Sequence, residues 1–370
     1  MTTGAAAHTE AAGSSSLVLD HIELPLTGRR EGKIRISYDL PASSGTPERR
    51  LFITTDRLSA FDRVLACVPG KGQVLNELAW WWFGELADIV PNHALSLPDP
   101  NVLIATAADP LPVEVIVRHA ITGVTNTSLW QRYAAGQRLI DGHTLPDGLH
   151  KNELLPTPII TPTTKAEAGG HDEPLSVADV EARGLVAPAL WERVCTAALA
   201  IFERGSQRAQ AAGLILADTK YEFGLAPDGT LLLIDEVHTP DSSRFWEGAT
   251  YASRLSAGHE PESMDKEIVR RAYADLGYRG DGPTPTLDPA VWTAAATGYQ
   301  RAYERLTGRS FVAAEQPAAA RIHRSLQAAG LLRSNPGDGN TANASSANSS
   351  VADSNSRSAN PRSTNPSKDL

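Results

Sequence analysis

Cysteine is almost absent: Cys67 and Cys195 are the only two. Their wide separation offers neither a disulfide framework nor a CxxC metal or redox pair. Also missing is any apolar run near the roughly 18 residues that a membrane helix needs. The N-terminal stretch MTTGAAAHTEAAGSSS has no basic start and no apolar segment, so no secretory signal is read there and the cytoplasm is the expected location. Positive charge is not in excess. The net charge is −9 at pH 7, a poor counterion for a phosphate backbone, which argues against nucleic acid as a partner. Neither GxxxxGK(S/T) nor GxGxxG occurs, which disfavours a P-loop or Rossmann nucleotide site. No HExxH or Cys/His cluster is present to hold zinc, and no GxSxG elbow to carry a serine nucleophile.

What remains is an ordinary globular chain of 370 residues, 41% of them hydrophobic, which at roughly 100–200 residues per domain suggests two lobes. The final 37 residues, 334–370, hold ten Ser and seven Asn, with Val351 and Leu370 as their only large aliphatic side chains. Such a segment cannot bury enough apolar area to offset its ordering entropy, so a disordered tail is expected there, and likewise over 1–16. Between them the pattern predicts strands at Gly32–Leu40, Leu51–Thr55 and Val113–Arg118, and a helix over Gln73–Ile89 whose Trp80, Trp81 and Trp82 read as helix core. A proline-rich stretch from Gly136 to Pro174 reads as a long loop. Helical patterns follow around 176–182 and 187–212. A hairpin is then expected from Leu214–Leu225, the turn Ala226–Gly229 and Thr230–Val237, with further helices at 262–277, 288–307 and 315–331. Strands mixed with segregated helices, without βαβ alternation, indicate an α+β fold.

The hairpin carries the densest chemistry. Strand alternation in ILADTKYEFG (215–224) places Asp218, Lys220 and Glu222 on one face, with Leu216 preceding them, while Thr219, Tyr221 and Phe223 face the other way. If Leu225 pairs with Thr230, Lys220 lies opposite Asp235; a one-residue shift substitutes Glu236. A solvated sheet face would show the same alternation. Acids clustered after an apolar strand also suit the hard oxygen ligation that Mg²⁺ requires. Downstream, Asp241-Ser242-Ser243-Arg244 combines hydroxyls with a planar bidentate donor, as a phosphate site would. Lys33 and Arg35 alternate along the first strand, Gly70-Lys71-Gly72 offers backbone N–H groups to an anion, and Lys165 sits in TPTTKAE.

In order along the chain stand GKIR (32–35), TTDRLSAFD (54–62), PGKG (69–72), PVEVIVR (112–118), TPTTKAE (161–167), GGHDE (169–173), LADTKYEFG (216–224), DEVHTPDSSRFW (235–246) and MDKEIVR (264–270). Together they closely resemble the SAICAR synthetase family of purine biosynthesis, over about Gly32 to Arg271. The resemblance implies a two-lobed, ATP-grasp-related α+β fold with ATP in the interlobe cleft, closed by C-terminal helices. It places a nucleotide-binding lobe at 17–112 and a substrate and metal lobe at 113–333. The implied reaction is that of an ATP-dependent ligase using ATP and Mg²⁺: the carboxylate of an aminoimidazole ribonucleotide is activated as an acyl phosphate, and the amine of L-aspartate displaces phosphate. Small molecules are therefore the implied partners, with neither nucleic acid nor membrane. By the same resemblance, Lys33 and Arg35 bind ATP phosphates, Glu114 lies near the adenine end, and Glu222 and Asp235 hold the metal and nucleotide phosphates. Asp218 and Lys220 form the substrate-side pair of the hairpin. Arg118, Ser128, Ser243 and Arg244 clamp the ribonucleotide, and Lys165, Asp172 and Glu173 occupy a loop near the reacting groups.

Two departures from the family pattern stand out. Ile36 replaces an acid in the first strand, which predicts the loss of a polar contact in the nucleotide lobe. His119 takes a glycine position beside an apparent insertion, Val124-Thr125-Asn126-Thr127, which predicts a reshaped substrate pocket. These departures are the only support for an alternative, a paralogous ligase acting on a related heteroaromatic carboxylate in nucleoside secondary metabolism. A small-molecule kinase of the same distant fold is a second alternative, against which the DSSR and TKAE motifs count.

Overall fold

The computed structural model describes residues 17–43, 45–61, 63–125, 127–165, 172–280 and 282–333. The stretches expected to be disordered, 1–16 and 334–370, lie outside the described residues, as do Asn126 and most of the GGHDE motif.

The chain opens with β1 (Thr27–Glu31), β2 (Arg35–Leu40) and β3 (Arg49–Thr54), then a small hairpin of β4 (Arg57–Ala60) and β5 (Arg63–Cys67). Helix α1 (Lys71–Glu85) leads to β6 (Ala94–Asp99) and β7 (Val102–Thr106). These strands form a five-stranded antiparallel sheet in the order β1-β2-β3-β7-β6. The long β8 (Asp109–Ala120) begins the second sheet. It is followed by α2 (Leu129–Ala134), β9 (Leu139–Ile140), β10 (His143–Thr144), β11 (Leu154–Ile160) and β12 (Thr163–Thr164). Helices α3 (Val177–Ala182) and α4 (Pro188–Ala211) precede β13 (Leu214–Leu225), β14 (Leu231–Ile234) and β15 (Ser243–Glu247). The second sheet runs β11-β8-β13-β14, with β12 on β8 and β15 on β13. Four helices close the chain: α5 (Gly248–Ser256), α6 (Glu267–Asp275), α7 (Pro289–Thr307) and α8 (Ala318–Ala328). The α+β class expected from the sequence is what the structure has. Among the described residues no helix is long and apolar enough to cross a membrane.

Alternation explains how the second sheet divides its faces. Val113, Val115 and Val117 of β8 and Tyr221 and Phe223 of β13 enter a core shared with α1 and α4, leaving Glu114, Arg118, Lys220 and Glu222 on the opposite face. Leu216 does not keep company with the acids as expected. A register shift between Leu216 and Asp218 in the β13–β15 pairing lets Leu216 join the same core as Tyr221. Trp82 is completely buried in that core and Trp81 packs against it, whereas Trp80 stays partly exposed.

Two sequence expectations fail for reasons of backbone chemistry. The stretch 136–174 is not one loop: β11 pairs antiparallel with β8. Its Pro156 and Pro158 mask the strand signal, yet prolines are tolerated because β11 is at the sheet edge. The first strand begins at Arg35 rather than Gly32, since a turn closed by Gly32 N–H donating to Arg35 O at 2.8 Å joins it to β1. Lys33 therefore sits in a turn and not in strand alternation. The chain's end also folds back: Ala318, Ile322 and Leu326 of α8 pack with Leu19, Ile36 and Tyr38 on the first sheet.

Candidate active site

The carboxylate face of β8 and β13 meets the start of β2 around two adjoining cavities. The larger, about 560 Å³, is lined by residues that include Lys33, Arg35, Glu114, Lys220, Glu222 and Asp235. At its centre the Lys220 ammonium donates to Glu114 at 3.2 Å, to Asp235 at 3.3 Å and to Glu222. Lys165 reaches Glu222 from the other side, and Arg35 pairs with Asp235 and, at 3.0 Å, with Glu236. Against the cost of burial, Glu222, Asp235 and Glu114 hold the Lys220 ammonium well above the ordinary lysine value. Arg35 and Lys220 in turn overcome burial to hold Asp235 well below the usual carboxylate range. Glu114 moves the other way, pushed up by burial and by the charge of Glu222.

The hairpin takes the shifted register, with Leu225 opposite Leu231 and Glu222 opposite Ile234. That alone would put Glu236 across from Lys220. Asp235 still reaches the site because β14 ends at Ile234 and Asp235 adopts φ 67°, a left-handed turn in which the chain leaves strand geometry. Both acids then face Arg35.

The smaller cavity, about 260 Å³, is lined by Arg118, Ser128, Asp218, Ser243 and Arg244 among others. Here one carboxylate orients two guanidiniums: Arg118 donates to Asp218 at 3.4 Å and Arg244 donates to the same oxygen. Arg118 is further held by Thr161 at 2.8 Å, and Ser243 exchanges a hydrogen bond with Thr219 at 2.7 Å. Ser128 caps α2 and lies so close to Gly123, at φ 114°, that any side chain there would collide with it. Two fixed guanidiniums beside two hydroxyls form a site for a planar or tetrahedral oxyanion.

Thirteen of the fourteen residues singled out in the sequence lie at these cavities or bond directly to their walls. Lys165 is among them through Glu222, and Asp172 lines the larger cavity. The exception is Glu173, which lines neither cavity and pairs at 3.3 Å with Arg183, beyond the end of α3. The substituted residues of the two departures, Ile36 and His119, lie off the cleft. Ile36 is fully buried under α8, away from the cleft, because alternation puts it on the face opposite Arg35. His119 points away from Arg118 into an edge-on contact with Phe202. The insertion does enter, through Thr125 at both cavities and Thr127 at the smaller.

Sequence reasoning missed several site residues. Lys71 offers nothing to an exogenous anion: it is buried, 2.8 Å from Asp241, whose other oxygen accepts from Tyr299. That pairing overcomes burial and draws the Asp241 carboxyl down to about 2. The N–H of Gly72 is already taken by Asp56 at 2.8 Å. Lys266 and Arg270, which line both cavities, stood in MDKEIVR without a role; their i, i+4 spacing on a helix was the available signal.

Among the described residues no three His, Cys, Asp or Glu side chains converge to hold a metal on their own. Glu222 and Asp235 nevertheless offer hard carboxylate oxygens to one cavity. Magnesium is commonly held by one or two carboxylates plus substrate phosphates and water, so this donor set fits it.

The SAICAR synthetase family model matches residues 29–285. A protein of Mesorhizobium japonicum described as putative phosphoribosylaminoimidazole-succinocarboxamide synthase 2 is 49% identical over 290 residues, 78% of this chain and 90% of its own length. The phosphoribosylaminoimidazole-succinocarboxamide synthase of Legionella pneumophila strain Lens is 45% identical over 301 residues, 81% of this chain and 94% of the relative. Among solved structures, that of Saccharomyces cerevisiae SAICAR synthase complexed with SAICAR superposes with a TM-score of 0.67 at 30% identity, covering 80% of this chain and all of that one.

Proposed function

We propose a division of labour between the two cavities from the premise that the chain belongs to the SAICAR synthetase family and is, with that family, an ATP-dependent ligase of purine biosynthesis. Such an enzyme joins L-aspartate to the carboxylate of carboxyaminoimidazole ribonucleotide. In this reading the larger cavity takes ATP, with Lys33 and Arg35 on its phosphates and Glu114 toward the adenine end. The smaller cavity takes the ribonucleotide, with Arg118, Ser128, Ser243 and Arg244 on its anionic groups. The observation that carries the reading is that the two cavities share a wall which includes Lys220 and Asp241, so a phosphoryl donor and a carboxylate acceptor can meet there.

A carboxylate is a poor electrophile. Attack of its oxygen on the γ-phosphorus breaks the bond to ADP and creates an acyl phosphate. The aspartate nitrogen then attacks the carbonyl carbon, loses a proton, and phosphate departs with the electron pair of the C–O bond. Little of this needs protein covalency; positioning and neutralisation of charge are what the site supplies. Lys220, pinned by three carboxylates, is a fixed positive charge at the shared wall, and Asp218 acts by orienting Arg118 and Arg244. Glu222 and Asp235 would hold Mg²⁺ against the nucleotide phosphates; when bound, the ion supplies further charge neutralisation. Lys165 and Asp172 border the ATP side.

The nucleotide lobe in this reading is 17–112 and the substrate lobe 113–333, with α8 returning to the first. A cytoplasmic location accords with the absence, among the described residues, of a membrane-crossing helix. The test is incubation with ATP, Mg²⁺, L-aspartate and carboxyaminoimidazole ribonucleotide, followed by mass spectrometry. The succinyl amide is expected; ATP turnover with no amide, on some other acceptor, contradicts the reading.

A further inference from the structure

Each cavity has one border that belongs to neither large sheet. The larger is lined by Ser59, Ala60 and Phe61 at the tip of the β4–β5 hairpin, the smaller by Thr127 and Ser128, and Thr125 lines both. Among the described residues β4 and β5 pair only with each other, and two strands alone are marginally stable in water. A separate small core supports them: Leu58 and Ala60 pack with Val269 and Tyr273 of α6 and with Tyr278 just beyond it. The inserted loop runs straight into the ribonucleotide clamp, since the N–H of Ser128 donates to Thr125 O at 2.9 Å.

One short connection, between α6 and α7, touches both borders. Tyr278 stands edge-on to Phe61, their ring centres 5.8 Å apart. Gly280, at φ 111°, lies so near the hairpin tip that a Cβ there would meet the Phe61 Cβ at 2.9 Å. Glycine alone tolerates both that φ and that approach. Arg63 of β5 donates to Gly282 O at 2.7 Å and to the Tyr278 hydroxyl at 3.4 Å. From the same segment Arg279 donates to Val124 O, in the inserted loop, at 3.2 Å. Tyr278, Arg279, Gly280 and Gly282 themselves line neither cavity.

We propose that this connection is a brace in which Gly280 and Arg279 are positioning residues, the first fixing the hairpin tip at the ATP cavity and the second fixing the inserted loop at the ribonucleotide cavity. This rests on the ligase reading above and adds how the borders of its two sites are held. A loop without support is ordered only when its ligand arrives, and that ordering is subtracted from affinity. A loop held beforehand escapes the cost. The acceptor on Val124 is one neutral carbonyl, so a single N–H donor is enough and lysine can replace arginine there. Gly280 stands in the middle of the brace, where any side chain pushes on Phe61 and displaces the segment that carries Arg279. The two positions therefore have different signatures.

Titration calorimetry on the full chain, with Mg²⁺-ADP and carboxyaminoimidazole ribonucleotide measured separately, tests the brace. Arg279→Met should weaken ribonucleotide binding about 3–10-fold and leave ADP within about twofold. Arg279→Lys should return most of that affinity, a rescue that a general loss of folding stability would not show. Gly280→Ala should weaken both ligands, ADP by about tenfold. Arg63→Met releases Gly282 without a clash, should weaken ADP alone, and decides that end if Gly280→Ala does not fold. Unchanged ribonucleotide binding in Arg279→Met, no rescue by lysine, or unchanged ADP binding in both Gly280→Ala and Arg63→Met overturns the proposal. An unaltered protein that binds neither ligand would instead strike the ligase reading, and this is seen before any variant is compared.

Discussion

The two cavities touch along one wall but hold their charges in opposite ways. In the larger one the cations of β2 and of the hairpin are answered: Arg35 faces Asp235 and Glu236, and Lys220 faces three carboxylates. In the smaller one Asp218 is shared between Arg118 and Arg244, Glu267 reaching Arg244 only at 3.5 Å, and the Nε of Arg244 is buried without a partner. A site balanced within itself can admit a polyanion together with its own cations without leaving unpaired charge when empty. A site short of carboxylate is complete only when an anionic substrate enters. The first arrangement suits a metal-bound nucleotide, the second an anion that arrives alone.

The comparison breaks first at Asp235. Asp235→Asn keeps the shape but removes the charge that balances Arg35 and Lys220; turnover should fall by about 10²–10³-fold or more, measured as kcat of amide formation at saturating Mg²⁺ and ATP. Next is the buried pair behind the shared wall. Lys71→Met strands the Asp241 carboxylate and should cost about 3–5 kcal/mol of unfolding free energy, read by denaturant titration. The division itself is sharpened by a reciprocal pair of substitutions. Arg244→Ala should raise the KM for the ribonucleotide by about 10–100-fold with little change for ATP, and Arg35→Ala should do the reverse. If both variants disturb the same substrate, the cavities do not divide the reaction.

The opposite face of the same hairpin supplies a smaller effect. His238 is buried against Trp82 and Tyr221, and burial draws it down to about 3. Because the unfolded chain takes up its proton near pH 6.5, the stability from a neutral His238 is present above that pH. It is lost as pH falls from 6.5 toward 3, at about 1.4 kcal/mol per unit. Unfolding free energy measured at pH 7 and 5.5 should drop, and His238→Gln should flatten the drop.

The sequence made the acidic face of the hairpin legible because strand alternation is strictly periodic, and nine ordered motifs identified the family. What escaped depended on local backbone departures from that period. The bulge near Leu216 moved a leucine into the core, and the left-handed Asp235 undid the consequence of a one-residue register shift. The turn at Gly32 took Lys33 out of the strand. Prolines hid the edge strand β11. The reach of Lys71 to Asp241, 170 positions later, has no local signature. Lys266 and Arg270 were visible as a helical pair but not as neighbours of the hairpin, since only tertiary packing brings α6 to the wall. The departures Ile36 and His119 misled because the face each occupies decides its effect: one lies under α8 and the other against α4.

The central claim is that the ribonucleotide carboxylate is activated by phosphoryl transfer where the two cavities meet. It is tested most directly by supplying carboxyaminoimidazole ribonucleotide labelled with ¹⁸O in that carboxylate, together with ATP, Mg²⁺ and L-aspartate. Mass spectrometry of the products then follows the label. One labelled oxygen in each inorganic phosphate, formed in step with the succinyl amide, is the predicted result. Amide accompanied by unlabelled phosphate, or a phosphorylated acceptor with no amide, would contradict the account.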